Sequence, residues 1–277
     1  MIKKSKVLVG TDVEVMLRDL ATGKYKSAEG LIGGSKDYPR PLDREGCALQ
    51  EDNVSVEYNV PPVGLEDSHT MAENIQYVMD TIKEVIPQGL AVECCSSARF
   101  DKEELSTPHA QQMGCDPDFN AWKDGDMNEK PDGSKTDLRS CGGHIAVSCP
   151  GISKMDCLNL IKWMDIYLGV PSVLIDTDKD RRTLYGKAGA FRTKLYGDTP
   201  GVEYRTLSNW WTKSEDYIKW VFLQLETAID AVNNNIDPNP YGAKVVEAIN
   251  TGNEALATEL CQELHIDLPL IMEEQIG

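Results

Sequence analysis

A chain of 277 residues, 41% hydrophobic and 26% charged, is long enough to bury a sizeable core as one large domain or two ordinary ones, and its composition is not that of a disordered protein. Its 45 acidic and 28 basic residues give a net charge of −17, which argues against a duplex nucleic-acid binder. Small phosphates stay open, because a local basic cluster or bound divalent cations can reverse the local field.

Eight cysteines form no CxxC pair and no metal-ligand spacing, so they read as reduced thiols of a cytoplasmic protein. No stretch approaches the roughly 20 apolar residues of a membrane span. The N-terminus is basic and then apolar, but its apolar run is short and is interrupted by Asp12 and Glu14, unlike a signal peptide.

Residues 6–17 alternate instead. Val7, Val9, Val13, Val15 and Leu17 fall on one face and Gly10, Asp12 and Glu14 on the other, which predicts a half-buried strand. Residues 23–46, rich in Gly, Lys, Asp and Pro, predict turns and a surface loop. Alternation returns from Glu51 to Val60. Read as one strand, it puts Glu51, Asn53, Ser55, Glu57 and Asn59 on a face of oxygen and amide groups that hard divalent cations prefer. Pro61-Pro62 ends it.

Between Asp67 and Ile86 the period becomes helical, with Asp67 or Ser68 as cap and Pro87 as stop. Residues 90–100 predict a further strand, in which adjacent Cys94 and Cys95 face opposite ways. Residues 101–138 have little periodicity, and a stretch of that length predicts a substrate loop or lid. Cys141–Ser148 alternates again, with His144, Ala146 and Ser148 on one face. Gly142-Gly143 allows a ligand or another backbone to come close just before the histidine.

A helix is predicted over about 153–168, opened by Ser153, and another over 214–232, capped by Ser214. Two shorter ones follow near 240–250 and 253–264. Between these helices, residues 180–211 concentrate Arg181, Arg182, Lys187, Arg192, Lys194 and Arg205 in an otherwise acidic chain. That stretch ends in the alternating run Val202–Thr206, which puts Glu203 and Arg205 on one face. No GxxxxGK[ST] or GxGxxG sequence occurs, so neither a P-loop nor a dinucleotide fingerprint accounts for the phosphate side. Each acidic face alone reads as solvated. Four such strands in one sheet would gather carboxylates that repel one another, for which divalent cations are the natural counter-charge.

GTDVE, EDNVSVEYNVPP, CGGHIAVS and RRTLYGKAGAFR…VEYRTLSNWW together resemble, in order, the motifs of the phage-encoded carboxylate–amine ligases (amidoligases). Those ligases belong to the glutamine synthetase and glutamate–cysteine ligase superfamily. The resemblance runs from about residue 8 to 212. It implies an α+β fold like the glutamine synthetase catalytic domain: a curved antiparallel β-sheet with a concave catalytic face and helices packed on its convex face. It also implies one ligase domain over residues 1–277.

By motif, the resemblance carries over Glu14, Glu57, His144 and Glu203 as metal ligands, with Glu51 a further candidate. Arg182, Lys187, Arg192 and Arg205 would contact ATP phosphates or an acyl phosphate. The cofactors implied are ATP and Mg2+, with Mn2+ as an alternative, and the partners are a small-molecule or peptide carboxylate and an amine, in the host cytoplasm if the chain is phage-encoded. An oligomer is open, as in the glutamine synthetase relatives. The implied reaction is ATP-dependent amide or isopeptide formation through an acyl phosphate. Asp116 and Asp118 are candidates for its base.

Two departures stand out: Asp12 where relatives often carry a glutamate, and Ala146 where many carry a second histidine. The acids and histidine would also fit a metal-dependent phosphohydrolase, and the missing second histidine leaves a nucleotide-binding module without turnover as a further alternative.

Overall fold

The computed structural model describes residues 1–113 and 118–269. In chain order its strands are β1 (Leu8–Asp19), β2 (Tyr25–Lys26), β3 (Arg40–Pro41), β4 (Ala48–Asp52), β5 (Ser55–Asn59), β6 (Val63–Gly64) and β7 (Leu90–Glu93), then β8 (Ser97–Arg99), β9 (Phe119–Asn120), β10 (Asp126–Met127), β11 (Leu138–Ser140), β12 (Gly143–Ser148), β13 (Ala190–Tyr196) and β14 (Thr199–Tyr204). The helices are α1 (Ser68–Val85), α2 (Pro108–Gln111), α3 (Lys154–Met164), α4 (Val170–Ile175), α5 (Arg181–Leu184), α6 (Glu215–Asn233), α7 (Gly242–Thr251) and α8 (Glu254–Glu263).

The main sheet runs β10-β9-β13-β14-β12-β1-β5-β4-β3, and its pairings are antiparallel. β6 joins the start of β1, and β2 and β7 join its end; β8 and β11 pair separately. The architecture is α+β with a large antiparallel sheet, as the sequence leads one to expect.

Alternation along the strands decides which face meets the helices. Val9, Val13 and Val15 of β1, Val56 and Tyr58 of β5, Ile145 and Val147 of β12, and Val202 and Tyr204 of β14 are all buried in one apolar cluster. Ile75, Val78 and Ile82 of α1, Leu160 and Ile161 of α3, and Val221, Leu225 and Ile229 of α6 complete that cluster from the helix side. Burying each such side chain contributes about 1.5–3 kcal/mol.

The helix ends follow their caps. Asp67 accepts from the Thr70 N–H, Ser214 from Tyr217, and Ser153 with Asp156 forms a reciprocal capping box. The helical run that α3 opens outlasts the predicted end at 168. It passes through a π turn over Asp165–Gly169 into α4, where Pro171 has no N–H to offer the regular ladder. The continuous run Lys154–Ile175 is long and apolar enough to cross a membrane by length and composition, which the sequence reading did not anticipate. Seventy-eight per cent of its most apolar 18-residue window is buried inside the fold, as in a core helix.

Two other expectations change, and the stretch read as a loop or lid holds short elements. The predicted strand over residues 51–60 is a hairpin: β4 and β5 pair Asp52 with Ser55 and Glu51 with Val56 around a two-residue turn, Asn53-Val54, with Asn53 at φ +56°. The predicted strand over 90–100 breaks at Cys94–Ser96 into β7 and β8. The aperiodic stretch 101–138 holds short elements, of which β9 extends the main sheet from β13 and β10 pairs with β9. The seven described cysteines are free thiols.

The π turn has a structural role. It carries Asp165, fully buried, whose Oδ1 accepts from Tyr204 Oη (2.7 Å) and Thr206 Oγ1 (3.0 Å). Its Oδ2 accepts from Trp122 Nε1 (2.7 Å) and the Gly189 N–H. Burial pushes this carboxyl up to about 6, against the pull of those donors. Asp165→Ala would leave Tyr204 Oη, Trp122 Nε1 and the Gly189 N–H without their acceptor, while Thr206 Oγ1 keeps the Lys187 carbonyl at 3.1 Å. It is expected to destabilise the protein by about 3 kcal/mol or more in urea denaturation, against about 1 kcal/mol for Tyr204→Phe.

Candidate active site

The face opposite the helices is polar, and the strand register fixes its pattern. Directly opposed residues share a face, so the pairings Gln50–Glu57–Glu14 form one row across β4, β5 and β1. Asn59–Asp12–His144 form a second row across β5, β1 and β12, and Gly10–Ala146–Glu203–Arg192 a third across β1, β12, β14 and β13. Most of these residues line a cavity of about 300 Å³, together with Asp52, Asp118, Lys194 and Arg205.

Two ligand clusters stand on this face. Asp12, His144 and Glu203 bring one oxygen or nitrogen each within 4.8 Å of one another, and so do Glu14, Asp52 and Glu57. Their electrostatics differ. In the first, His144 Nδ1 lies 3.1 Å from Asp12 Oδ1 and 3.7 Å from Glu203 Oε1. Burial works against the Asp12 carboxylate, but His144, Arg205 and Lys194 outweigh it and hold that carboxyl below its ordinary range. Arg205 Nη1 donates to Glu203, and Arg192 Nη2 lies 3.9 Å from the same carboxylate.

The second cluster has little cationic company. Burial pushes Glu14 up to about 8, with Asp52 and Asp12 repelling its charge, although the Gly142 N–H at 2.6 Å pulls the other way. Glu57 rises well above the ordinary carboxylate range, first by burial and then by repulsion from Asp12, Asp52 and Glu14. Crowded oxygen ligands lacking a counter-charge suit a hard divalent cation, and the first cluster offers two oxygens and an imidazole nitrogen.

The two glycines before His144 serve close packing. A Cβ on Gly142 would meet His144 Nε2 at 2.5 Å, and one on Gly143 would collide with the Ser208 carbonyl. The approaching backbone is residues 207–209: Gly143 N donates to Leu207 O (3.1 Å), and Trp211 Nε1 donates to Gly143 O (3.0 Å). Arg181 stitches the same region, giving its guanidinium to the carbonyls of Cys141 (2.9 Å), Thr206 (2.7 Å) and Leu207 (2.9 Å). Burial lowers its pKa to about 10.

Of the sequence-predicted residues, the structure brings Glu14, Glu57, His144, Glu203, Arg192 and Arg205 together. It does not bring Glu51, Arg182 or Lys187 to them. The hairpin turns Glu51 to the Val56 side, where its carboxylate accepts from the N–H groups of Gly30 (2.8 Å), Ile32 (2.9 Å) and Gly33 (2.7 Å). Arg182 is buried against Asp178 O, Ser172 O and Ser172 Oγ, each at 3.3 Å. Lys187 is half-buried, and its pKa is lowered by burial and by the charge of Arg182.

Sequence reasoning did not carry Asp12 or Asp52 into the ligand set. Asp12 was legible on the polar face, whereas Asp52 needed the hairpin to be recognised. Asn53, a residue that tolerates positive φ, was the available signal. Asp116 lies outside the described residues. Asp118 is described, and its carboxylate is held by Arg205 Nε (3.1 Å) and Asn128 Nδ2 (3.0 Å).

Among solved structures, the chain is similar to a bifunctional glutathione synthetase from Pasteurella multocida, with a TM-score of 0.53 and 12% identity. The match covers 94% of this chain and 44% of that one, so the chain spans less than half that protein's length, and the likeness is one of fold. Comparison with curated proteins gives no match. A family model does match, over residues 133–272, the half of the chain that contributes His144, Arg192 and Arg205 to the cavity and Glu203 to the ligand cluster beside it. The chain therefore belongs to the family described as phage phiEco32-like COOH.NH2 ligase-type 2, the carboxylate–amine ligases.

Proposed function

We propose that this enzyme uses ATP to join a carboxylate to an amine through an acyl phosphate, forming an amide or isopeptide bond, on the polar face of its sheet. The observation that carries this reading is the pair of three-ligand clusters beside Arg192, Lys194 and Arg205, on one sheet face of a carboxylate–amine ligase. In this reading the polar face is the concave catalytic face of a glutamine synthetase-like sheet. Residues 1–277 act as one ligase domain, and residues 101–138 close over the substrates.

Asp12, His144 and Glu203 would hold one divalent cation and Glu14, Asp52 and Glu57 a second, with Mg2+ as the ordinary occupant. When bound, such cations neutralise charge on a transferring phosphoryl group. The protein's own groups do the rest. Arg192 and Arg205 stabilise the negative oxygens of the γ-phosphate as the substrate carboxylate attacks it, and then those of the acyl phosphate. The cavity walls keep water from the acyl phosphate until the amine displaces phosphate. Small-molecule or peptide carboxylates and amines fit a cavity of this size.

Two measurements test this reading. The first incubates the protein with ATP, Mg2+ and pooled carboxylates and amines. ADP and phosphate are expected only when both acceptors are present, and Glu203→Gln should lower turnover at least 100-fold while the circular dichroism spectrum is kept. Phosphate release without acceptors would indicate a phosphohydrolase, and tight ATP binding without turnover a binding module. The second follows thermal unfolding of Glu57→Gln. Relief of carboxylate crowding should raise the melting temperature of the metal-free variant by about 2–4 °C, and the extra stabilisation that MnCl2 gives the wild type should largely disappear.

A further inference from the structure

Three thiols that the proposed mechanism does not use gather where β7, β8 and β11 meet. Cys94 and Cys95 follow β7, and Cys141 follows β11. Cys141 N donates to Ser96 O at 2.9 Å, which carries the β8–β11 ladder one pair beyond Ser97–Ser140. The main chain at Cys95–Ser96 thus lies about one strand spacing, roughly 5 Å, from Cys141, a separation over which two cysteines can be bridged. The sulfurs already meet. The fully buried Cys141 thiol hydrogen-bonds to the half-buried Cys95, whose sulfur also takes the Tyr25 hydroxyl.

That hydrogen bond from Cys141 holds the Cys95 thiol below its ordinary range, against burial. Burial, and then the Cys95 sulfur, push Cys141 well above its own. The pair therefore divides into a nucleophile and a protonated partner in contact with it. Both ends connect to Glu14. Gly142, next after Cys141, gives its N–H to Glu14 Oε2 (2.6 Å) and takes the Glu14 N–H on its carbonyl (3.0 Å). From the other end, Cys94 Sγ donates to Asn209 O (3.3 Å), and Asn209 Nδ2 donates to the Glu14 carbonyl (2.7 Å).

The geometry points to a redox site: we propose that Cys95 and Cys141 form a reversible disulfide when a peroxide reaches Cys95, and that this bond pulls on Glu14 and weakens the cation site it forms with Asp52 and Glu57. The Cys95 thiolate attacks one oxygen of hydrogen peroxide and the O–O bond breaks, leaving a sulfenic acid. The departing hydroxide recovers the proton that Cys95 had given up and leaves as water. The Cys141 sulfur then attacks the Cys95 sulfur, the S–O bond breaks, and the Cys141 proton leaves with the hydroxyl as a second water. Two thiols lose two electrons, and one peroxide gains them.

Two sulfurs in hydrogen-bond contact must close to about 2.05 Å to form the bond. The Cys141 main chain is held on both sides, by Ser96 O and by Arg181 Nε, which donates to the Cys141 carbonyl at 2.9 Å. The contraction is therefore passed to residues 94–95 or to Gly142, and either route ends at Glu14. The effect on the cation rests on the two-cluster reading above, whereas the disulfide itself does not.

The test treats the reduced full chain with hydrogen peroxide, maps its disulfides by mass spectrometry of peptides, and measures Mn2+ binding by electron paramagnetic resonance before and after. Wild type is expected to gain a Cys95–Cys141 link and to bind Mn2+ at one site about tenfold more weakly, the scale at which outer-sphere partners of metal ligands act. Dithiothreitol should reverse both changes. Cys95→Ser should form no such link and keep its Mn2+ affinity through the peroxide treatment, and Cys141→Ser, which removes the other sulfur, should do the same. Peroxide that leaves the two thiols unlinked, or joins Cys95 to another cysteine, would overturn the inference. So would a mapped link with unchanged Mn2+ affinity, or a Cys95→Ser protein that loses affinity as wild type does. A reduced wild type that binds no Mn2+ would sink the two-cluster reading and with it the control of the cation, while the peptide map still decides the disulfide.

Discussion

A buried carboxylate with four donors fixes the polar face from behind. Tyr204 lies between Glu203 and Arg205, so the alternation that sends those two to the polar face sends Tyr204 into the apolar layer, where its hydroxyl reaches Asp165. Gly169, four residues on, makes room for that contact: a Cβ there would stand 2.7 Å from the Tyr204 hydroxyl and 3.2 Å from Asp165 Oδ1. The same aspartate takes Trp122 from the segment beside β13 and the Gly189 N–H at the entry to that strand. One side chain thus sets the depth of β14, β13 and their edge segment. A shift of Asp165 would be felt on the other side of the sheet, at Glu203 and Arg192.

The cavity is divided electrostatically. Toward β13 the carboxylates have cationic company, and His144 first, then Arg205 and Lys194, hold the Asp12 carboxyl below its ordinary range. Toward β4 they have each other, and burial with mutual repulsion favours their protonated forms. An arrangement with this much unrelieved repulsion is a poor way to stabilise a fold and a good way to hold a cation. In the proposed ligase the phosphate-binding groups stand on the first side only, which gives the ligand set a direction across the sheet.

How much of this could be read in the sequence depended on the type of signal. Period-two alternation placed Asp12, Glu14, His144, Glu203 and Arg205 on polar faces correctly, because a strand's two faces follow from geometry alone. It failed at Glu51 and Asp52, because alternation cannot reveal a two-residue reversal; one turn there exchanged the faces and put Asp52 in the position intended for Glu51. Arg182 departs for another reason. Read as a phosphate contact, it gives its guanidinium largely to backbone carbonyls, as Arg181 beside it and Arg139 also do, with five bonds in the case of Arg139. Nothing local in the sequence separates an arginine that satisfies buried carbonyls from one that meets a ligand. The Asp165 hub was equally hidden, since its four donors lie 24 to 43 residues away.

β1 sits at the centre of the sheet, and its partners come from far along the chain: Asp12 pairs with Asn59 on one side and with His144 on the other. Contacts of such long sequence separation pay their loop-closure entropy before they return any stabilisation, which slows folding. The cavity draws residues from Asp12 to Arg205, so no contiguous fragment shorter than that interval contains its full set of groups. Activity should therefore be a late event in the life of each molecule, arriving only when the strands at both margins have closed on β1. A nascent chain still lacking β14 and the residue after it would carry Asp12 without the Glu203 and Arg205 that stand beside it.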